Sequence, residues 1–364
     1  MNRWFLVSVV AAATAGAPAL AQVTVYGVFD TAVERLDHVG TGAGRVTRMP
    51  GLTGSVPSRL GLLGSEDLGG GLRAVFTLEQ GFAPDQGTPN QGNRGFGRQA
   101  FVGLAGPWGS VTLGRQYSML FWSQLDADLL GPSAFGSGSL DSHLPNARAD
   151  NAVAWRGGFG AVQLGATYSL GRDVANAGPG PAGTLCPGES ATDAQACRQW
   201  SAMAKFDTPA WGLAAAVDEM RGGPGAFAGL SASSLKDRRS TVAGWARVGA
   251  LKLGAGVIAR RNDGNPASRS SRLWYGGAAY GVTPSFMLEA QAFRLDFRRS
   301  ANQATLLALR ATYSLSRRTA VYATAGRIDN DSSLALSVSG AAPGAGPVPG
   351  GSQSGLAAGV RHSF

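Results

Sequence analysis

The side chains best suited to catalysis or metal binding are few in this chain of 364 residues. The three histidines, His38, His143 and His362, lie far apart, and no His-x-x-His or Cys-x-x-Cys spacing occurs. Metal sites need such ligands at short, regular spacing, so we expect no metal and no cofactor. His143 has Asp141 and Ser142 beside it, but a solvated loop histidine is the simpler interpretation.

Positive charge is the more informative chemical feature. The sequence has 32 Lys and Arg against 23 Asp and Glu, and only three of the positive residues are lysines. A basic soluble protein would suggest nucleic-acid binding. The arginines, however, are spread along the chain without a recognisable nucleic-acid module, so we expect no nucleic-acid partner and a field that attracts small anions.

Residues 1–21 have the pattern of a cleaved export signal. A positively charged start precedes a short apolar run, and Ala19-Leu20-Ala21 is the small-x-small motif of a signal-peptidase site. The run is too short for a spanning helix, which needs about 20 apolar residues. We predict cleavage after Ala21 and a mature domain over 22–364.

Both cysteines, Cys186 and Cys197, lie in one long segment rich in Gly and Pro. Exported proteins meet an oxidising environment in which disulfides persist. We therefore predict a Cys186–Cys197 disulfide that stiffens this loop, with two free thiols as the alternative.

After residue 21, apolar and polar residues alternate with a period of two along much of the chain. Within 72–82 the apolar side chains occupy even positions, whereas Arg73, Thr77 and Glu79 occupy odd ones. Successive side chains of a strand point to opposite faces, so this pattern predicts strands with one apolar and one polar face. The same alternation occurs at 161–170, 251–260 and 355–364.

Short and long connections alternate between these strands. Short turns are predicted near 67–70, 106–109, 157–160, 208–212, 248–250, 282–284 and 316–318. Long loops are predicted near 37–57, 83–95, 118–149, 171–198, 220–238, 262–270, 297–303 and 329–353. These connections join sixteen strands, and strands of about 10 residues span an apolar band of about 25 Å.

Periodicity alone fits a soluble sandwich, with its apolar faces inside, as well as a membrane barrel. The export signal, the even strand number and the loop asymmetry favour the barrel. The predicted fold is all-β, a transmembrane antiparallel 16-stranded β-barrel with short periplasmic turns and long extracellular loops around a channel. The basic residues on its lumen face are Arg73, Lys205, Lys252, Arg260, Arg310 and Arg361.

Several segments resemble the Gram-negative general porins, particularly their β-proteobacterial branch. The similarity covers the mature chain and is most specific between 58 and 117. The segments are 23–30 (VTVYGVFD), 58–82 (SRLGLLGSEDLGGGLRAVFTLEQGF), 97–104 (GRQAFVGL), 109–117 (GSVTLGRQY), 315–319 (LSRRT) and 359–364 (GVRHSF).

The resemblance implies a homotrimer in the outer membrane, in which each barrel is a water-filled pore narrowed by an inward-folded third loop, 118–149. Porins of this family carry an arginine ladder opposite that loop, and the matching residues are Arg59, Arg98 and Arg148. Phe364 resembles the terminal aromatic recognised by the barrel-assembly machinery, and it also fits an interfacial girdle. Outer-membrane lipid and lipopolysaccharide are the other implied partners.

The acidic side of the constriction is expected on the third loop, where Asp126, Asp128 and Asp141 are available; Asp126 and Asp128 are our constriction candidates. Better-known relatives carry a Pro-Glu-Phe-Gly motif, whereas residues 131–136 here are GPSAFG and lack the Glu. Losing a carboxylate while keeping the arginines predicts a preference for anions. It also leaves the path of the loop open.

Arg115 does not follow the lumen pattern. It shares parity with Val111 and Leu113, so we predict that it points outward and pairs at the trimer seam with a carboxylate of a neighbouring subunit.

The sequence therefore predicts a non-enzymatic outer-membrane porin for small hydrophilic or anionic solutes. A solute-specific channel is an alternative within the same class. A barrel-embedded hydrolase is an alternative from another class, with His143 as the plausible catalytic histidine.

Two kinds of region depart from the regular strand pattern. Residues 285–297 change phase, because Phe286, Leu288 and Ala290 share one parity while later apolar residues take the other. A β-bulge near 291–292 would produce that change. The Gly/Pro-rich segments 178–181 and 341–351 are expected to be poorly ordered.

Overall fold

A computed structural model describes residues 22–171, 186, 188–226 and 229–364. The predicted signal segment and the segment 178–181 lie outside the described residues. The strands are β1 (Gln22–Val39), β2 (Gly44–Arg48), β3 (Arg59–Gly69), β4 (Leu72–Gly81), β5 (Gln99–Gly106), β6 (Gly109–Tyr117), β7 (Arg148–Phe159), β8 (Val162–Ser169), β9 (Gln199–Asp207), β10 (Trp211–Arg221), β11 (Lys236–Val248), β12 (Leu251–Asn262), β13 (Ser270–Thr283), β14 (Phe286–Phe297), β15 (Gln303–Ser314), β16 (Thr319–Asn330) and β17 (Ser352–Ser363).

The described helices are all short. They are α1 (Asn90–Asn93), α2 (Met119–Gln124) and three 3₁₀ turns at Ser137–Ser139, Leu144–Asn146 and Pro266–Ser268. Among the described residues, no helix is long and apolar enough to cross a bilayer.

The strands form one closed antiparallel barrel. From β3 to β17 each strand pairs with the next, and β1 pairs with β3 on one side and with β17 on the other. β2 forms a hairpin with the extracellular end of β1, so sixteen strands make the wall and the predicted 16-stranded barrel is confirmed. The seven short turns lie between the predicted strand pairs, at one rim.

The two faces of each strand have different surroundings. On β15, the outward Leu307 and Leu309 are 54% and 60% exposed, whereas the inward Leu306 and Ala308 are buried. Only closed barrels and helices satisfy their backbone polar groups in lipid. The outward apolar faces therefore form the belt that contacts acyl chains.

Part of the barrel interior is dry. Inward Leu273, Phe293, Leu295 and Leu306 pack in one buried cluster with Phe135 of the third loop and with Val338 of the last loop. The β14–β15 ladder runs without a shift from Phe286 to Asp296, and the β13–β14 ladder without a shift from Met287 to Phe297, so the predicted bulge near 291–292 is wrong. Phe293 and Leu295 are apolar because they meet inserted loops there, and not because the strand changes face.

The Gly/Pro-rich segment 341–351 is also tied down, in contrast to its predicted poor order. Ala341 and Ala345 are buried. Arg48 donates hydrogen bonds to the backbone oxygens of Ala342 and Pro343 at 3.1 and 3.0 Å. This segment therefore helps to fill the same side of the barrel.

Candidate functional site: a constriction between the third loop and an arginine wall

The third long loop, residues 118–147 and called loop 3 below, folds into the barrel. α2 follows directly after β6 and lies against β9, β10 and β11. Gln124, at the end of α2, donates to Thr241 at 2.9 Å and accepts a hydrogen bond from the Tyr275 hydroxyl at 2.6 Å. The first turn of loop 3 is thereby fixed to the wall opposite β3–β6.

The middle of loop 3 crosses to the strands at the end of the chain. The backbone N–H of Leu130 donates to Gln291 at 2.9 Å. The fully buried Phe135 ring sits against Gly326 and Gly355, and a Cβ on Gly355 would approach its ring to 2.9 Å. These glycines give the ring the space it needs, and the loop covers that half of the lumen.

An ion-pair network holds the returning part of loop 3. Asp141 accepts two hydrogen bonds from Arg239 at 2.8 and 3.0 Å. Asp237 lies between Arg239 and Arg260, at 3.1 and 2.8 Å. Although burial opposes ionisation, Arg239 and Arg260 hold the pKa of Asp141 well below its usual range, so this loop anchor stays charged at neutral pH.

The predicted arginines come together at one part of the barrel wall, where Arg98 and Arg148 are buried beside residues of loop 3. Arg98 donates to Glu79 at 2.7 Å and to the Tyr117 hydroxyl at 2.8 Å. Arg148 donates to the same hydroxyl and lies over its ring at 4.3 Å. Arg59 is 3.5 Å from Glu79 and keeps 27% of its side chain exposed.

Local backbone geometry explains this meeting point. Arg59 and Arg148 begin β3 and β7, Tyr117 ends β6, and Arg98 immediately precedes β5, so all four lie at the extracellular ends of neighbouring strands. Arg98 reaches inward because it precedes the regular ladder, where strand parity does not yet apply. The cluster has three guanidiniums and one carboxylate.

Glu79 and Tyr117 are the members of this cluster that we did not assign from the sequence. Glu79 has the same parity as Arg73 and Thr77, so its position facing the lumen was visible in the pattern. Its role as the shared acceptor for Arg59 and Arg98 depends on the neighbours that the fold supplies.

The loop 3 carboxylates are already engaged with groups of this chain. Asp126 pairs with Lys205, Asp141 pairs with Arg239, and the buried Asp128 accepts a hydrogen bond from Ser137 at 2.7 Å. They therefore do little to offset the positive charge of the arginine wall.

The basic residues that parity assigned to the lumen face differ in their surroundings. Arg73 is exposed and lines an open cavity of about 550 Å³ together with Lys205. Other predicted residues are held by partners: Lys252 lies 5.3 Å from the Trp245 ring, Arg260 pairs with Asp237, Arg310 pairs with Glu289, and Arg361 donates to Ser55 at 3.1 Å.

Arg156 is a further lumen arginine that the sequence analysis missed. It lies over the Trp122 ring of loop 3 at 3.9 Å and lines the same cavity as Arg73. It shares parity with the buried Ala152 and Ala154 of β7, which is the signal that could have identified it.

The sequence matches the family model of the Gram-negative porins over residues 7–333. The chain belongs to this family. As a porin it is an outer-membrane channel for passive diffusion and not an enzyme.

Individual relatives agree over nearly the whole length. Outer membrane porin protein 32 of Delftia acidovorans is 28% identical over 381 residues, covering 100% of both chains. The solved structure of an anion-selective porin from Comamonas acidovorans has a TM-score of 0.75 at 22% identity, covering 94% of this chain and 100% of that one. OmpT, an outer membrane protein of Vibrio cholerae solved in a trimer form, has a TM-score of 0.65 at 15% identity, covering 94% of this chain and 99% of that one.

Arg115 of this porin differs from the prediction. The β6–β7 ladder is irregular between Gly114 and Gln116, so parity fails at this point. The Arg115 side chain is only 7% exposed and lies 2.7 Å from Asp150 of the same chain. An intrachain partner thus replaces the carboxylate that we expected from a neighbouring subunit.

His143 is buried rather than solvated, and its Nε2 lies 4.0 Å from Asp218. It therefore lies within the packed loop and not at an accessible rim, as the hydrolase alternative would require.

The Cys186–Cys197 disulfide predicted from the sequence is present. Cys197 donates its backbone N–H to Gly222 at 2.8 Å, so the bridge lies against the extracellular end of β10. It closes a short loop just before the extracellular end of β9.

Replacing both cysteines with serine is expected to lower the free energy of unfolding by about 3 kcal/mol, because the open loop gains conformational entropy in the unfolded chain. Single-channel conductance is expected to stay unchanged. Chemical unfolding in detergent and planar-bilayer recording measure the two quantities. Equal stability of the variant and the oxidised wild type would contradict the prediction.

Asp128 makes the stability of this porin depend on pH. Burial raises the pKa of Asp128 to about 6, against a partial opposing effect of the Ser137 hydrogen bond. The folded state therefore holds the proton more tightly than the unfolded chain. This favours folding below about pH 4, and the advantage is lost as the pH rises through about 6.

The free energy of unfolding is therefore expected to fall by about 3 kcal/mol between pH 4 and pH 7 through this group. The Asp128→Asn variant has no carboxyl to ionise, and it is expected to lack that part of the decline. Chemical unfolding of both proteins across this range measures the difference. Parallel pH profiles would show that Asp128 titrates normally.

Proposed function

We propose that this porin works as a homotrimer, that its channel prefers anions, and that the constriction lies between loop 3 and the cluster of Arg59, Arg98 and Arg148. Small hydrophilic solutes and ions cross it by passive diffusion. The trimer is supported by the trimeric relative noted above. Anion preference is supported by the name of the Comamonas relative, but chiefly by the charges of this chain.

The observation that carries the proposal is the imbalance of charge across the narrow part of the lumen. The wall cluster has three guanidiniums around one carboxylate, Glu79, and the partly exposed Arg59 is the member that solute can reach. On the facing loop, Asp126 and Asp141 are neutralised by their own partners. A passing ion therefore meets net positive charge.

The charge of the arginine cluster is large enough to change which ions pass. One unit charge about 4 Å from an ion contributes about 1 kcal/mol even at the dielectric constant of water. The narrow region is smaller than the Debye length of about 8 Å at physiological salt, so salt screens it incompletely. Two net positive charges favour an anion over a cation by about tenfold or more, as charge clusters do in other channels.

Two exposed lumen residues extend this field beyond the constriction. Arg73 and Arg156 both line the cavity of about 550 Å³ next to Trp122. Since guanidinium stays charged at every physiological pH, an anion leaving the constriction remains in a positive field.

A reversal potential tests the proposal directly. Purified wild-type protein is placed in a planar bilayer with a tenfold KCl gradient, and the zero-current voltage is measured. A sign that corresponds to chloride preference supports the proposal, and a cation-selective sign refutes it. Adding phosphate or a dicarboxylate to the same bilayer distinguishes a general pore from a solute-specific channel, because only the latter shows saturable block.

The remaining partners follow from the location of the protein in the outer membrane. We propose that residues 1–21 direct export, that the barrel-assembly machinery recognises Phe364, and that lipid and lipopolysaccharide surround the trimer. The backbone of Phe364 exchanges hydrogen bonds with Gly27 at 3.0 and 3.1 Å, and the residue is 48% exposed. The ring therefore stays accessible at the barrel surface.

A further inference from the structure

An apolar surface lies inside the lumen, between the arginine cluster and the rim formed by the short turns. Leu63 of β3 and Phe101 of β5 both pair with the inward Thr77 of β4, and residues directly opposite each other in a ladder share a face. Val75 lies two residues from Thr77 on β4 and has the same parity. The lumen wall of such barrels carries mostly polar side chains, so three neighbouring apolar ones are an exception.

Loop 3 does not bury this surface as it buries the apolar residues on β14. Phe293 and Leu295 are only 1% and 5% exposed, because they lie in one cluster with Phe135 of loop 3. Leu63, in contrast, is 43% exposed, and Val75 and Phe101 are half-buried. An exposed apolar patch in a water-filled lumen indicates a site for a ligand with an apolar part.

A cavity of about 450 Å³ lies in front of this surface, and this volume is typical of small-molecule sites. It is called the aromatic cavity below, and its main lining side chains are Leu63, Val75, Phe101, Met119, Trp122 and Arg156. The cavity also reaches Tyr117, whose hydroxyl accepts hydrogen bonds from Arg98 and Arg148. An anion that leaves the arginine cluster therefore enters the aromatic cavity directly.

Arg156 supplies the positive charge of the aromatic cavity. Its guanidinium lies over the Trp122 ring at 3.9 Å, and that ring makes an edge contact with Tyr117. Its neighbours across the ladders, Ser110 and Gly165, carry no charge. No described residue accepts a hydrogen bond from Arg156 or forms an ion pair with it. The stacked guanidinium thus keeps its N–H edges for an external acceptor.

We propose that the aromatic cavity binds aromatic carboxylates as they cross the channel, with the carboxylate on Arg156 and the ring against Leu63, Val75 and Phe101. Guanidinium and carboxylate form strong, often bidentate, charge-assisted hydrogen bonds, and aromatic rings in contact gain energy beyond the burial of their surface. Small inorganic anions use only the charge of this site. The inference rests on the proposed channel function and assigns it a preferred class of solute.

Block of the ion current by three probes tests this assignment. Benzoate has both the ring and the charge, acetate has the charge without the ring, and benzamide has the ring without the charge. Each probe is added to the purified protein in a planar bilayer, and the concentration that halves the chloride current is measured. We expect saturable block by benzoate at a concentration at least about tenfold lower than for acetate or benzamide. Block by either of these as strong as that by benzoate would overturn the proposal.

Three variants test the two parts of the aromatic cavity. Arg156→Gln removes the charge and is expected to raise the half-blocking concentration of benzoate at least about tenfold. Leu63→Asn makes the exposed wall polar at similar size and is expected to raise it about threefold. The matched control is Arg73→Gln, which removes the same charge from the lumen at a position that does not line this cavity. Equal weakening by Arg73→Gln and Arg156→Gln would show that only the general charge of the lumen acts, and would overturn the proposal.

Reversal potentials of the same channels separate this inference from the channel proposal. A wild-type channel that prefers chloride but shows no saturable block by benzoate overturns the inference and leaves the proposed function intact. A cation-selective wild-type channel refutes the proposed function, and this inference with it. If Arg156→Gln does not assemble into channels, Leu63→Asn decides, because an unchanged half-blocking concentration of benzoate in that variant overturns the proposal.

Discussion

In an Arg59→Gln channel, the ratio of anion to cation permeability is expected to fall at least about fivefold. Arg59 is the partly exposed member of the arginine cluster, and one unit charge at about 4 Å contributes about 1 kcal/mol, which is nearly twice RT. Glutamine keeps the length and polarity of the side chain but removes its charge. Reversal potentials in a salt gradient measure the change.

The matched control is Arg35→Gln. Arg35 is exposed on the outward face of β1, opposite Leu356, so this variant loses the same charge outside the lumen and is expected to keep the wild-type ratio. Glu79→Gln removes the carboxylate shared by Arg59 and Arg98 and is expected to raise anion preference. An unchanged ratio in Arg59→Gln would remove Arg59 from the constriction.

Replacing Arg310 with methionine is expected to destabilise the protein by about 3–5 kcal/mol, because Glu289 is then left buried without its partner. Arg310 donates to both oxygens of Glu289 at 2.7 and 2.9 Å, and to the backbone oxygen of Leu130 in loop 3 at 3.4 Å. Conductance is expected to rise as well, because the middle of loop 3 loses a contact. Chemical unfolding and single-channel recording measure the two effects.

The double variant Arg310→Met/Glu289→Met serves as the control. It removes both charges, and such replacements restore most of the stability that a single substitution costs. Its ion selectivity is expected to match wild type, because the Arg310 charge is already balanced in the native barrel. A double variant no more stable than Arg310→Met would show that the cost does not come from an unpaired Glu289.

Strand parity predicted the barrel well because lipid and lumen impose opposite demands on alternate residues. It predicted less well what fills the lumen. The sequence analysis took the apolar Phe293 and Leu295 as a sign that the strand changes face. They are apolar because they point into the lumen and pack in one cluster with Phe135 of loop 3, which is far away in sequence. No local pattern contains that contact.

Parity also fails where the ladder is irregular. Arg98 precedes its strand, so counting positions gave little support to its place in the lumen. Arg115 lies at the irregularity after Gly114, so counting positions placed it on the wrong face. Glu79 shows the opposite case. Its face was predictable, but its role required knowing that Arg59 and Arg98 both reach it.

The pairing of β1 with β17 has a consequence for biogenesis. These strands come from opposite ends of the barrel sequence, and their ladder from Val28–Ser363 to Leu36–Gly355 closes the ring. Until it forms, two rows of backbone amides and carbonyls remain unsatisfied, a state that hydrocarbon does not tolerate. Such an open ring cannot stand alone in the hydrocarbon, so its two edges must pair with other polar groups, or stay outside the bilayer, until the final residues arrive.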